Sequence, residues 1–427
     1  MNPRRFLLTA LIAILPCASA LAWGEAHLAI TKAALAVLPD WQKALLGDEL
    51  APLGENYCLI PDHVYTDRAN AKFALIESRP REVYVLDLHL PAQQPENLET
   101  LRYFMGKAVA ALRAKRVPDA ARFMGTICHQ IEDYGSPAHT LPGDNMFTLL
   151  QQFLPPSEAM KDQLLHGPIE NGDLPVKIDG YRPRLLGTIV EEASWRLLHR
   201  IHEGILNARS TTVPIIQALY ASDAKAVETA QMKAATVDAQ ITADALHTML
   251  CLGAERYEPD AERALAQAPI SALWPLEAES LYYPQKQFFS SPNWGFPHTG
   301  VILAEGKKAQ PLKLRVTGRD GASVEREFPN GISAGMGKSL TFLLPRGVYH
   351  GFTVLAGLHP GLGANGKVEF TITGDGQPLA SAVVSGAEPA HAFECDVRQI
   401  AELQLTLTSR GDPRSQYAIW AEPTLWK

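Results

Sequence analysis

The sequence lacks several features that mark large protein classes. The apolar run near its start is too short for a membrane-spanning helix, and no later stretch reaches the roughly 18 apolar residues that one needs. The sequence has no cluster of Lys and Arg with interleaved aromatic residues, and its formal net charge is −7, so a nucleic-acid-binding protein is disfavoured. No internal repeat or low-complexity segment is evident. These absences leave an ordinary globular chain of 427 residues.

Cysteine is scarce, with five residues, and none forms a C-x-x-C pair. Four of the five, Cys58, Cys128, Cys251 and Cys395, lie far apart after the N-terminal segment. The spacing therefore gives no zinc-ribbon or redox motif, and it leaves both disulfides and buried thiols open.

The first 22 residues have the pattern of a secretory signal peptide. Arg4 and Arg5 precede a short apolar run at residues 6–15, and Ala20-Leu-Ala22 supplies a small-x-small cleavage pattern. Cleavage would make Trp23 the new N-terminus. We therefore expect a secreted or periplasmic protein.

The composition changes character near residue 260. Before it, apolar residues recur at helical spacing, for example from Leu98 to Leu112 and along a helix that Pro118 opens. Further helices are predicted at about 185–207, 213–221 and 224–252. After residue 297, short alternating runs are separated by turn residues, as at 312–316, 339–344, 367–372, 381–384 and 403–407.

These patterns predict a multidomain α + β protein, with an all-α helical domain followed by an antiparallel β-sandwich. The predicted divisions are a signal peptide at 1–22, a helical domain at 23–260, a linker at 261–299 and the sandwich at 300–427. Trp294, Phe296 and nearby aromatic residues of the linker would form either an interdomain seam or a peripheral contact with lipid.

Several histidines have the spacing of metal ligands and predict a metal site. His129 and Asp133 lie four residues apart, so both face one side of a helix. Gly135 and Pro137 end that helix, and the chain can then turn His139 back toward the same place. Imidazole and carboxylate together suit Zn²⁺. His166 and Glu170, and His27 near the predicted new N-terminus, add further candidates, whereas His199 and His202 are predicted to be structural.

The order of these fragments resembles the zinc-dependent phospholipase C family, which shares a trinuclear zinc plan with the S1/P1 nucleases. The fragments are Trp23-Gly-Glu-Ala-His27, Ile60-Pro-Asp62, a further His, H-x-x-x-D-x-x-x-P-x-H at 129–139 and H-x-x-x-E at 166–170. The resemblance covers residues 23–255. In that family the free amine and carbonyl of an N-terminal Trp bind zinc, which would give cleavage before Trp23 a chemical purpose.

The resemblance implies up to three Zn²⁺ ions. The first would be held by Trp23, His27 and Asp133. The second would share Asp133 as a bridge and take His89 and His129, with His63 as the rival of His89. The third would be held by His139, His166 and Glu170. Asp62 matches the family carboxylate that acts as general base or orients the attacking water.

The implied activity is hydrolysis of a phospholipid, or of another phosphodiester, by metal-activated water. Two alternatives stay open: a nuclease or nucleotidase on the same zinc scaffold, and a non-catalytic glycan-binding protein that keeps metal for stability. Residues 300–427 resemble the carbohydrate-binding-type module NPCBM, on segments such as 349–357 and 417–422. This resemblance implies a glycan as a second partner, with no sugar-contacting residue assigned.

Overall fold

The computed structural model describes residues 25–64, 66–77, 79–83, 95–139, 174–273, 298–304, 309–334 and 339–427. The predicted fold class is confirmed, because helices come first along the chain and antiparallel strands follow. No helix in the described ranges combines the length and the apolar character needed to cross a bilayer.

The α-helices of the described residues lie between residues 25 and 263. They are α1 (Glu25–Ala36), α2 (Asp40–Leu46), α3 (Leu50–Glu55), α4 (Pro95–Arg113), α5 (Val117–Gly135), α6 (Val190–Tyr220), α7 (Ala224–Ala254) and α8 (Pro259–Arg263). Short 3-10 turns at Gly47–Glu49, Tyr57–Leu59 and Ala71–Phe73 link the N-terminal helices, and β1 (Leu75–Ile76) pairs with β2 (Arg79–Val83).

The long helix α7 is at the centre of the helical region. It contacts α1, α4, α5 and α6, and its alanine-rich sequence lets these neighbours approach closely. Helix α5 begins with Pro118 in its first turn, as predicted, and buries Ala121, Met124, Ile127 and Ile131. The central helix α7 therefore packs directly against α5, the helix that carries two of the candidate metal ligands.

Helix α6 differs from the prediction at both ends of its range. The predicted start at Leu185 is wrong, because the backbone N–H groups of Arg184 and Leu186 donate to Asp244 and Thr248 of α7 instead. The predicted break before Val213 is also wrong, since the helix continues through Pro214. Packing of the buried residues on either side of Pro214 against α7 outweighs the hydrogen bond that proline removes.

The remaining strands of the described residues lie from residue 267 onward. They are β3 (Gln267–Pro269), β4 (His298–Thr299), β5 (Val301–Leu303), β6 (Ala309–Pro311), β7 (Lys313–Thr317), β8 (Ser323–Glu327), β9 (Gly331–Ser333), β10 (Ser339–Leu343), β11 (Gly351–Leu358), β12 (Lys367–Gly374), β13 (Gln377–Ser385), β14 (His391–Asp396), β15 (Glu402–Ser409) and β16 (Ala418–Trp426). All five strand runs predicted from alternation correspond to strands.

Two antiparallel sheets face each other across one core. One sheet has the order β10-β15-β12-β13, and the other has the order β14-β11-β16-β9-β4, with β3 paired to β16. Alternate residues of β12 and β15, such as Phe370 and Leu407, point into the core. The turn between β12 and β13 places Asp375 and Gly376 at positive φ, as a tight hairpin requires. Strand β3 lies within the segment predicted as a linker.

The helical region and the sandwich are joined by a buried contact. The Trp195 side chain on α6 belongs to the sandwich core, and its indole N–H donates to the carbonyl of Leu343 over 2.6 Å. Three residues earlier, the buried Glu192 accepts a hydrogen bond from Lys427 Nζ at 2.7 Å, and its other oxygen lies 3.4 Å from Tyr349 Oη. Lys427 is thus anchored on a helix of the helical region.

Candidate metal centre

Three side chains of the predicted ligand set meet where α1 lies against α5. His27 is in the first turn of α1, and His129 and Asp133 lie one turn apart on α5. The His27 and His129 rings stack with their centroids 4.3 Å apart. Asp133 faces both rings, with Oδ1 3.5 Å from His27 Nε2 and Oδ2 3.3 Å from His129 Nε2.

Asp62 joins this group from the loop after the Tyr57–Leu59 turn. Its Oδ1 lies 3.4 Å from His129 Nε2, and ligand atoms of His27, Asp62 and His129 all lie within 4.8 Å of one another. Gly125 makes this approach possible, because a Cβ there would overlap the backbone carbonyl of Tyr57. One turn after Gly125, His129 Nδ1 donates to the Cys58 carbonyl over 2.7 Å.

The separations within the group fit ligand atoms around a cation. At 3.3–3.5 Å they exceed the usual N–H···O hydrogen-bond distance. Two ligand atoms each about 2.1 Å from a tetrahedral Zn²⁺ are about 3.4 Å apart. The buried His27 Nε2 and Asp62 Oδ2 also have no hydrogen-bond partner among the described residues. Geometry and donor type therefore both suit zinc.

The electrostatics of the site favour a positive charge. Burial by itself lowers the pKa of His129, but the Asp133 and Asp62 carboxylates more than reverse this and raise that pKa well above its usual value. Burial acts to raise the pKa of Asp133, and the charges of His129, His27 and His139 outweigh it and lower that pKa. A field that holds a proton so firmly between these groups also attracts a metal cation.

The pKa values of the two cysteine thiols beside the site are raised. Burial raises the pKa of Cys58 and Cys128, and the negative charge of Glu132 raises both further. Neither thiol belongs to the group of ligand atoms that His27, Asp62 and His129 form. The raised pKa values favour the protonated thiol, which is a poor zinc ligand. All four cysteines after residue 23 are buried and free.

Of the other predicted ligands, two lie among the described residues and four lie outside them. His139 is buried just after α5, in a turn closed by its N–H donating to the Ser136 carbonyl, and its charge acts on Asp133. His63 is half-buried and outside the group of three. Four predicted ligands lie outside the described residues: Trp23, His89, His166 and Glu170.

The histidines predicted to be structural lie elsewhere. His199 packs edge-on against Trp195 with ring centroids 4.6 Å apart, and His202 is buried on the same helix. Neither belongs to a group with metal-binding geometry in the described part of the chain.

Sequence reasoning missed Glu132, which is fully buried next to Asp133. Its Oε2 lies 2.8 Å from His27 Nδ1, on the side of the ring away from Asp133. The available signal was the second carboxylate in His129-Gln-Ile-Glu-Asp133. Spacing alone does not assign Glu132 to the site, because neighbouring residues point about 100° apart on a helix.

Comparison with known families identifies the C-terminal part. Residues 289–426 match the family model described as the NPCBM/NEW2 domain, which confirms the resemblance predicted for residues 300–427. No curated protein sequence matches the chain.

Solved structures are similar to the chain over two different ranges. The alpha toxin from Clostridium absonum is 10% identical, over 96% of this chain and 98% of that chain, with a TM-score of 0.34. Clostridium perfringens alpha-toxin from avian strain SWCP is also 10% identical, over 94% of this chain and 86% of that chain, with a TM-score of 0.32.

Carbohydrate-binding modules match a smaller share of the chain. A CBM51 module from Clostridium perfringens GH95, in complex with methyl-galactose, is 15% identical over 37% of this chain and 99% of that chain, with a TM-score of 0.29. CBM51-2 and INT domains of Clostridium perfringens ZmpB, in complex with GlcNAc, are 19% identical over 31% of this chain and 28% of that chain, with a TM-score of 0.27. All four TM-scores lie below 0.5, so the case for the metal centre rests on its own residues.

Proposed function

We propose that the chain is an exported zinc-dependent phosphodiesterase of phospholipase C type. The observation that carries the proposal is the Asp133 carboxylate, which turns one oxygen to His27 Nε2 and the other to His129 Nε2. Such a carboxylate can bridge two cations, and two-metal sites of this kind serve phosphodiester hydrolysis.

The chain's own residues would hold the ions and shape the reaction. His27, His129 and Asp133 would be ligands, together with His139 and with Trp23, His89, His166 and Glu170 from outside the described residues. Bound zinc would neutralise the phosphate oxygens and lower the pKa of a bound water toward neutrality. Asp62 Oδ2, which has no partner among the described residues, can accept the proton of a water held beside it.

Two features of the sequence disfavour a nucleic acid as substrate and so favour a lipid. The formal net charge of −7 opposes binding of a polyanionic strand, and the sequence has no basic cluster to offset that charge.

The C-terminal module adds a second partner. The NPCBM match supports a glycan as that partner, which would bring the enzyme to a glycan-bearing surface. Hydrolysis on the glycerol side of the phosphate would release diacylglycerol and a phosphorylated head group.

The test compares two substrates on one preparation. Zinc-loaded protein is incubated with phosphatidylcholine vesicles and, separately, with single-stranded DNA. We expect phosphocholine release that a chelator abolishes and added zinc restores. Asp133→Asn is the inactive control, since it removes the negative charge that faces both imidazoles.

Two results would contradict the proposal. Turnover of DNA alone would move the chain to the nuclease alternative. Zinc binding without turnover of either substrate would favour the non-catalytic glycan-binding alternative, which a glycan-binding assay of the same preparation would then test.

A further inference from the structure

One buried carboxylate touches the metal centre without belonging to the ligand group. Glu132 on α5 is fully buried, and its two oxygens have separate partners on α1. Oε2 lies 2.8 Å from His27 Nδ1, and Oε1 accepts a hydrogen bond from the Thr31 hydroxyl, one helical turn further along. Among the described residues, His27 is its one ion-pair partner.

We propose that Glu132 is a positioning residue that holds the His27 imidazole with Nε2 directed at the metal centre. The inference rests on the zinc centre proposed above and adds a residue to it.

The argument begins with the two nitrogens of His27, which face adjacent carboxylates of α5. The 2.8 Å separation at Nδ1 is that of a hydrogen bond, whereas the 3.5 Å separation between Nε2 and Asp133 is too long for one. The proton of a neutral His27 therefore resides on Nδ1 and is donated to Glu132. Nε2 then keeps its lone pair, as a metal ligand must.

Thr31 makes this arrangement rigid. A glutamate has several rotamers, and fixing one of them costs conformational entropy. The Thr31 hydroxyl holds the second oxygen of Glu132, so the carboxylate is attached to two successive turns of the same helix. The ring orientation of His27 is thereby fixed before any ion binds.

The two imidazoles of the centre differ in what they donate to. His129 Nδ1 donates to the neutral backbone carbonyl of Cys58 over 2.7 Å, whereas His27 Nδ1 faces a charged carboxylate. A charged acceptor raises the basicity of a metal-bound imidazole more than a neutral one does. Loss of Glu132 should therefore affect His27 and leave the orientation of His129 unchanged.

The test uses Glu132→Gln, which keeps the shape of the side chain and removes its charge. Zinc affinity is measured by competition with a chromophoric chelator. We expect affinity to fall about 10- to 100-fold, the range for loss of a group that orients a ligand. Glu77→Gln is the matched control, because Glu77 pairs with Lys107 at the surface and should leave zinc affinity unchanged.

A second readout does not depend on metal or substrate. In metal-free protein labelled with nitrogen-15, long-range proton–nitrogen spectra report which ring nitrogen of His27 carries the proton. The wild type should show the Nδ1–H form, and Glu132→Gln should show a mixture of both forms, with His129 unchanged. If Glu132→Gln fails to fold, Thr31→Val replaces it, because that change frees the Glu132 side chain but leaves its charge.

The outcomes separate this inference from the proposed function. Unchanged zinc affinity and an unchanged His27 tautomer in the variant would overturn the positioning role, whatever the substrate. A wild type that binds zinc tightly and hydrolyses no phosphodiester would contradict the proposed function while leaving the role of Glu132 supported by both readouts.

Discussion

Trp195 of the helical region donates its indole N–H to the carbonyl of Leu343 in the sandwich over 2.6 Å. The side chain is buried in the sandwich core and also packs against Tyr349, with ring centroids 5.5 Å apart. The two regions therefore share part of one hydrophobic core. We expect them to unfold together.

Replacing this tryptophan should separate the two unfolding events. Trp195→Ala removes a large buried side chain and should cost about 3–5 kcal/mol. Scanning calorimetry should then resolve two transitions in place of one. Trp426→Ala is the matched control, because Trp426 is 39% exposed and should cost much less. A single, unshifted transition in Trp195→Ala would contradict the shared core.

Gly125 offers a test of how the helix packing places the ligands. Gly125→Ala puts a methyl group into the backbone of Tyr57 and should push away the loop that carries Cys58 and Asp62. We expect the free energy of unfolding to fall by about 1–3 kcal/mol and zinc binding to weaken. Gly106→Ala on α4 should be neutral or stabilising, since the nearest atom to the new methyl group is 3.9 Å away. Equal effects of the two changes would argue against this packing.

Asp62 can be tested as a proton acceptor separately from any contribution of its oxygens to zinc binding. Asp62→Asn keeps one oxygen that can face the metal but cannot accept a proton, so zinc should be retained while turnover falls about 10²- to 10⁴-fold. Asp62→Ala removes the oxygen as well and should weaken zinc binding. The measurement is zinc content beside the turnover rate for each variant. Unchanged turnover in Asp62→Asn would remove this residue from the mechanism.

His247 should make the helical region sensitive to acid. Burial lowers the pKa of this side chain to about 4, below its unfolded value of about 6.5. Between these values the unfolded chain binds more protons than the folded one, so stability present at neutral pH is lost as the pH falls. At about pH 5 the loss should be about 1–2 kcal/mol.

His247→Gln should remove most of that dependence, because glutamine keeps a polar partner for Gln42, which lies 3.1 Å from His247 Nδ1. Urea unfolding of both proteins, followed by far-ultraviolet circular dichroism at neutral and acid pH, provides the comparison. The same acid sensitivity in the variant would assign the effect to other groups.

The sequence predicts those features that depend on local spacing. The helix opened by Pro118, the alternation in β12 and β15, and the turn at Asp375 and Gly376 all follow from neighbours within a few residues. The continuation of α6 through Pro214 does not, because packing against α7 decides it.

The contacts that complete the site and the core join distant residues. Glu132 meets His27 across 105 residues, and Trp195 meets Leu343 across 148. No periodicity in one segment encodes such a pair, since its partner is set by how the helices and sheets pack. The i, i+4 spacing of His129 and Asp133 identified the helix face of the site, but not the second carboxylate beside it.

The central proposal is that Asp133 would hold metal ions beside both His27 and His129. The most direct measurement is anomalous diffraction at the zinc absorption edge, from crystals of the protein purified after export and without added metal. We predict anomalous peaks about 2.0–2.2 Å from the Asp133 oxygens and from Nε2 of both histidines. Zinc bound elsewhere, or no peak beside Asp133 in crystals grown with excess zinc, would contradict the account.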